Sequence, residues 1–312
     1  MAEPRLSVTR LRVDYEDTTA VHDVDLNIEA GMVYGLIGPN GAGKTSIIRS
    51  IAALVDPTYG DIRIEGIDLM ENPSGALRHI GYMPDSPPLY EDLTVYEFLA
   101  LFASAYGVSE SQRDQRIRSL VDQVQLTAKV DSLCGGLSRG MRQRIFLAKC
   151  LLHDPMILLL DEPASGLDPN ARREFGELIK GLGAAGKAVL VSSHILSELS
   201  DFCNSVGIME QGHMRVSGRI EDVVQQLGHT NQVVLRALNP NDALRVFLSD
   251  HEHIHSVEMN ANGAVFDFDG QDDDLAGLLK ALIKRDVQVT EFHKTSVGLE
   301  DIFQQVTDGG LA

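Results

Sequence analysis

The stretch MVYGLIGPNGAGKTSIIRSIAAL, residues 32–54, decides the fold. "MVYGLIG" is a short apolar run of the buried-strand kind, and in "KTSIIRSIAAL" the residues Ile47, Ile48, Ile51 and Leu54 recur at helical spacing. Between them "GPNGAGKT", residues 38–45, fits G-x-x-x-x-G-K-[ST] in the strand-then-helix context that gives the pattern its meaning. Glycines at 38, 41 and 43 let the backbone come close to a ligand. The amides of Gly41 to Thr45 can then wrap a phosphate chain at a helix N-terminus, where partial positive charge favours an anion. This is a P-loop, in which Lys44 would lie along the β and γ phosphates of a nucleotide and the Thr45 hydroxyl would bind Mg²⁺. Ser46 adds a further phosphate donor.

"MILLLDEP", residues 156–163, supplies the second half of a nucleotide site. Its apolar residues drive a strand through a core, Asp161 emerges at the strand end where a metal would sit, and Glu162 is placed to polarise a water. An Asp-Glu pair at a strand end is by itself commonly a solvated cap; behind a P-loop it reads as functional. "KAVLVSSH" is another strand, separated from the last by the helix "PNARREFGELIKGLG", so a parallel β-α-β order is expected. Nearer the start, Leu6 and Val8, then Leu11, Val13 and Tyr15, alternate as in half-buried strands, and "AVHDVDLNIEAG" and "GDIRIEGIDL" continue the pattern into an antiparallel layer. Residues 94–153 read mostly as helices, opened by a Thr94–Glu97 capping box.

Beyond "SGRIEDVVQQLG" the order is strand, helix, strand, strand, helix, strand, with Asn262-Gly263 as the hairpin turn and "GLEDIFQQV" as a closing helix. The expected fold is therefore α/β: a P-loop NTPase core with an antiparallel β subdomain and a helical subdomain (about 86–153), spanning 1–228, followed by a small ferredoxin-like α+β domain over 229–312.

The composition sets limits. Asp and Glu outnumber Lys and Arg 45 to 27, a formal net charge of -18, which would repel nucleic-acid backbones unless positive charge is concentrated locally. "GLSRGMRQRIFLAK", residues 136–149, carries three arginines and a lysine and raises that possibility. Cys134, Cys150 and Cys203 are too scattered for a disulfide framework or a C-x-x-C metal site and read as reduced core thiols. No apolar run approaches the roughly 18 residues of a spanning helix, so a soluble protein is expected, held at a membrane only by a partner.

Taken together, the motifs resemble the nucleotide-binding subunits of ABC transporters over residues 5 to about 220. They come in the family's order: Tyr15 at the aromatic position that stacks on adenine, the P-loop, "LSRGM" at the LSGGQ signature, Asp161-Glu162, "SGLD" at the D-loop, and His194 at the switch histidine. The resemblance implies an ATPase, with ATP and Mg²⁺ as cofactors, that powers transport, of the export type, through a separate membrane subunit. It implies catalytic roles for Glu162, His194 and Lys44, and nucleotide binding by Tyr15, by Gly38, Pro39, Asn40, Gly41, Ala42, Gly43, Lys44, Thr45 and Ser46, and by Ser138 and Gly140 of a second chain. Metal contacts fall to Thr45, Asp161 and Asp85, and Asp168 lies at the seam of a homodimer or pseudo-dimer. The cytoplasmic, inner face of the cell membrane is the implied location.

Two motifs depart from the family pattern. Asp85 stands where the family has Gln, adding charge and losing an amide donor. Arg139 and Met141 replace a glycine and the glutamine of the signature, while Ser138 and Gly140 remain. Ser138 is also a good N-cap for a helix whose Met141, Ile145, Ala148 and Leu152 form a buried stripe, with the basic residues on its remaining faces; Asp168 before Pro169 is a good N-cap too. His251, His253 and His255 would share a strand face, but no acidic or cysteine cluster accompanies them, and a polar surface strand is the simpler reading. Asp85 to Leu93, with Leu89 and Tyr90, is the candidate dock for the membrane subunit. The C-terminal segment is similar to the accessory domain of bacterial exporter-type ATPases, implying a regulatory or dimer-supporting role. The rival reading, a soluble ABC ATPase acting on ribosomes or nucleic acid, lacks a second cassette, a zinc motif or a basic balance.

Overall fold

β1 (Leu6–Tyr15) and β2 (Thr18–Ile28) form a hairpin in the computed structural model, which describes residues 3–195, 198–199, 201–226, 231–238 and 240–295. The break in alternation between Val8 and Leu11 is a bulge, with Arg10 at φ 48 and its N–H on Asp25 Oδ1 at 2.8 Å. The bulge returns Leu11 and Val13 to the buried face. Further irregularities between Leu11 and Val13 and between Val13 and Asp14 take Tyr15 out of that phase, and the residue is 41% exposed rather than packed under the sheet.

The chain continues through β3 (Val33–Ile37), α1 (Lys44–Ile51), β4 (Tyr59–Ile64), β5 (Ile67–Asp68), α2 (Pro73–Leu77) and β6 (Ile80–Met83). It then forms α3 (Val95–Ala105), α4 (Glu110–Gln123) and α5 (Arg139–Leu151), followed by β7 (Ile157–Leu160), α6 (Pro169–Ala184), β8 (Ala188–Ser193), β9 (Ser205–Glu210), β10 (His213–Arg219) and α7 (Ile220–Gln226). One sheet is antiparallel, in the order β2-β1-β4-β5. The other has the order β10-β9-β3-β8-β7-β6 and is parallel from β9 to β6. Every residue of β3, β7 and β8 is buried, as expected of parallel strands covered on both faces. Because β8 lies between β3 and β7, the carboxyl ends of all three open on one edge, where ligands of open α/β sheets bind.

The helical run is anchored at its start by the capping box: Thr94 Oγ1 accepts from Glu97 N, and Glu97 Oε2 accepts from Thr94 N. Phe98 meets Phe102 and Phe146 edge-on at 5.0 and 6.0 Å between ring centres, which ties α3 to α5. α5 differs from the expected one-sided stripe: Met141 is only half-buried, while Gln143 and Arg144 are buried with the aliphatic residues that follow.

A second compact unit starts after Ile220, eight positions before the expected boundary at 228, so that α7 spans the division. It contains β11 (Asn231–Ala237), α8 (Asp242–Ser249), β12 (Ile254–Asn260), β13 (Gly263–Phe268), α9 (Asp272–Lys284) and β14 (Val289–Thr295), with fully antiparallel order β12-β13-β11-β14. This β-α-β-β-α-β order is the ferredoxin-like one. Val233, Leu235, Leu244, Leu248, Phe266 and Phe268 belong to its own core. The hairpin turn is shifted by one residue from the expected Asn262-Gly263: Asn260 pairs with Gly263, leaving Ala261 and Asn262 as the loop. Gly263 is placed in the strand because its backbone runs against the Leu235 carbonyl, where a Cβ has no room. The closing helix expected at "GLEDIFQQV" lies outside the described residues.

Candidate active site

β3 delivers the chain to the P-loop, and α1 starts where the loop ends. Gly43 is the N-cap of α1, in the left-handed region at φ 102, and a Cβ there would strike the Ala20 carbonyl. No side chain caps this helix, so its first N–H groups face the loop interior. Lys44 is 5% exposed. Its Nζ donates to the carbonyls of Gly38 (2.6 Å) and Pro39 (3.2 Å) and lies 3.6 Å from Glu162 Oε1. Burial pushes the ammonium below its ordinary pKa, and Glu162 and Asp161 oppose that shift.

Asp161 follows directly on β7 and is 1% exposed. Its Oδ1 accepts the Thr45 hydroxyl at 3.2 Å and the Ser192 hydroxyl at 2.7 Å. Burial holds this carboxyl above the ordinary range; the hydroxyls of Ser192 and Thr45 pull it down, and Glu162 and Asp85 add to the rise. Ser192 also accepts the Glu162 N–H at 2.9 Å. Glu162 stands at φ 49, a conformation costly for a non-glycine residue, which turns its side chain back over the cleft. There Oε2 meets His194 Nδ1 at 2.7 Å.

Lys44, Asp161, Glu162 and His194 line an open cleft of about 520 Å³ with the rest of Asn40 to Ser46 and with Asp85, while Ser192 bonds to both acids without lining it. Sequence reading missed Ala20, Arg49, Ser165 and Ser192; two serines ending an otherwise apolar strand were the available signal for the last. Tyr15, Gly38, Pro39, Ser138, Gly140 and Asp168 do not line the cleft of this chain, though the Gly38 and Pro39 carbonyls hold Lys44. The Ser138 side chain caps α5, accepting from Met141 N at 3.4 Å, and Asp168 Oδ1 caps α6, accepting from Asn170 and Ala171 N–H groups at 3.1 and 3.0 Å. The exposed Arg139 lies over Gly166 (φ 66), where an added Cβ would come 2.5 Å from a guanidinium nitrogen.

The other arginines of residues 136–149, expected on the remaining faces of the helix, are tied down by its surroundings. Arg142 donates to the carbonyls of Leu137 (3.1 Å) and Gly135 (2.8 Å); Arg144 is buried between Gln125 and Glu174. The histidine triplet does not share a strand face either. His251 and His253 precede β12, and His253 and His255 both pair with Asp269, at 2.9 and 2.8 Å. Among the described residues no cluster of three or more His, Cys, Asp or Glu forms a metal-binding group.

A P-loop, a buried aspartate on its threonine and a glutamate–histidine pair at the carboxyl edge of a parallel sheet define a P-loop nucleotide hydrolase. Residues 21–165 match the ABC transporter family. The chain is 34% identical over 224 residues to the Nod factor export ATP-binding protein I of Cupriavidus pinatubonensis, covering 72% of this chain and 69% of that one. It is 32% identical over 310 residues to the bacitracin transport ATP-binding protein BcrA of Bacillus licheniformis, covering 98% of each. A solved ATP-binding subunit of an ABC transporter superposes with a TM-score of 0.64 at 34% identity, over 72% of this chain and 93% of that one. The chain belongs to the ATP-binding subunits of ABC transporters. It is an ATPase, of the kind that powers transport through a membrane subunit. No helix among the described residues is long and apolar enough to cross a membrane.

Proposed function

We propose that Lys44 and the amides of residues 41–45 hold the β and γ phosphates of ATP, with Gly38 and Pro39 anchoring the lysine and Ser46 adding a donor. Thr45 and Asp161 fit a hard cation: two oxygen groups 3.2 Å apart, in a cleft that also carries the carboxylates of Glu162 and Asp85. Mg²⁺ held there neutralises charge on the phosphates. Glu162 orients and deprotonates the attacking water, and His194 fixes the carboxylate and reaches the γ-phosphate. The observation that carries this reading is the continuous contact from Lys44 through Glu162 to His194 along the cleft.

A second copy, or a pseudo-equivalent partner, completes the site with Ser138 and Gly140, Asp168 lying at the seam. Tyr15, exposed at the end of β1, is available to stack on adenine. The prolines and Leu89 and Tyr90 of residues 85–93 dock a membrane subunit, for export, at the inner face of the cell membrane; Tyr90 is 50% exposed. The unit after Ile220 regulates or supports the dimer.

Two experiments test this. Glu162→Gln should accumulate an ATP-bound dimer, and Lys44→Ala should abolish hydrolysis; no dimer in the first with normal turnover in the second overturns the assignment. Charged residues at Leu89 and Tyr90 should release the chain from its membrane partner while ATP binding persists, and unchanged co-purification rejects the dock.

A further inference from the structure

The turn that carries His194 is held from behind by residues outside the cleft. Glu198 is a carboxylate only 2% exposed. Its Oε2 accepts the Ser193 hydroxyl at 2.6 Å, and that hydroxyl oxygen accepts the Ile195 N–H at 3.0 Å, closing a tight turn around His194. The other oxygen, Oε1, lies 3.3 Å from Nη2 of Arg172 in α6. This contact is an ion pair without hydrogen-bond alignment: among the described residues, Glu198 Oε1 and the buried Nε of Arg172 both lack a hydrogen-bond partner. Arg172 Nη2 also donates to the Leu167 carbonyl at 3.5 Å, in the loop that runs from Glu162 to the α6 cap at Asp168.

Burying a carboxylate against a half-exposed arginine in imperfect geometry is a poor way to gain stability, since apolar residues of similar volume commonly do as well. Orphaned buried polar atoms in a native structure call for an explanation. Neither residue lines the cleft. What they join is specific: one end is the loop after Glu162, the other the turn that presents His194.

We infer that Arg172 and Glu198 are a positioning pair that ties the Glu162–Asp168 loop to the His194 turn, so that the imidazole stands against Glu162 when the loop is in place. Without the Glu198 charge the tie to Arg172 is lost and the Ser193 hydroxyl is left with at most a neutral acceptor, so the turn loses its clamp and His194 the backbone that aims it. This inference rests on the catalytic reading of Glu162 and His194 given above.

The test uses the full chain. Turnover is measured per nucleotide site, with sites counted by titration with a fluorescent ATP analogue, so that partial misfolding does not pass for lost chemistry. Glu198→Gln and Arg172→Gln should each lower kcat about tenfold, as expected for a misaimed catalytic group. Analogue affinity should stay within about twofold, the signature of an effect on the chemical step. The double variant should be no worse than the worse single one, because the residues act as a unit, and Arg172→Lys should recover most of the turnover. If Glu198→Gln does not fold, the double variant, which removes both charges, gives the same readout. Unchanged turnover per site, or single losses that multiply in the double variant, overturns the inference. Glu162→Gln and His194→Ala serve as controls: if both keep wild-type turnover the site reading falls and the pair has nothing to position. If they lose it while Glu198→Gln does not, only the pair is rejected.

Discussion

His194 Nδ1 and Lys44 Nζ hold the two oxygens of one carboxylate, Glu162, at 2.7 and 3.6 Å respectively. A carboxylate gripped at both ends cannot rotate freely, and the glutamine isostere keeps the shape while losing the basicity. Glu162→Gln should lower ATP turnover by about 10²- to 10⁴-fold, the range for removing a general base, with nucleotide affinity preserved in an equilibrium binding assay.

Ser192 serves two acidic residues at once, donating to Asp161 Oδ1 and accepting the Glu162 N–H. Ser192→Ala leaves a buried acceptor and a buried donor short of a partner and should cost about 1–3 kcal/mol in urea unfolding. The hydroxyl pulls the Asp161 carboxyl down, so its loss lets burial push that group higher still. A proton then competes for Asp161 up to a higher pH, and the acid limb of the turnover profile should move upward.

Gly166 sits at φ 66 beneath the Arg139 guanidinium. Gly166→Ala meets both a left-handed backbone, costing about 1–2 kcal/mol, and a collision with the arginine. Arg139→Gly removes only the collision. The double variant should therefore be more stable than the sum of the singles, read from thermal or urea unfolding as a coupling term. Simple additivity would show that Arg139 swings clear in solution.

His253 and Asp269 perturb each other in the second unit. The hydrogen bond to Asp269 is the largest cause of a His253 pKa above its ordinary 6.5, and the bonds from His255 and then His253 hold Asp269 below 3.8. The histidine contribution to stability is complete below pH 6.5 and is lost as pH rises through the raised value. The Asp269 contribution is present above 3.8 and is lost as pH falls through the lowered one. NMR titration should place the His253 midpoint above 6.5, and Asp269→Asn should bring it down.

Much of this molecule is legible in local pattern. Residues 32–54 announce a strand, an anion-binding turn and a helix because each requirement is local: continuous apolarity, glycines, then a 3.6-residue period. Asp161, Glu162 and His194 follow from strand ends in the same way. What escapes are features set by partners far along the chain. Ser192 looks like one more strand residue until β7 is placed beside β8. Arg144 looks like surface charge until Gln125 and Glu174 close over it. Arg139 reads only as a departure from the signature, and it stands exposed with its guanidinium over Gly166. The phase of Tyr15 misleads because three irregularities in β1 shift the alternation on which strand reading depends.

The end of β8 has one more consequence. Ser192 and Ser193 are consecutive in a strand, so their side chains leave on opposite faces of the sheet. One hydroxyl goes to the acids of the cleft and its neighbour to the clamp behind the histidine. A single peptide unit thus divides two duties, and the pairing of Ser192 with Leu36 and Ser193 with Ile37 fixes which serine takes which. A slip of β8 by one residue against β3 would exchange the two faces wholesale, so hydrolysis depends on strand register as strictly as on any side chain in the cleft.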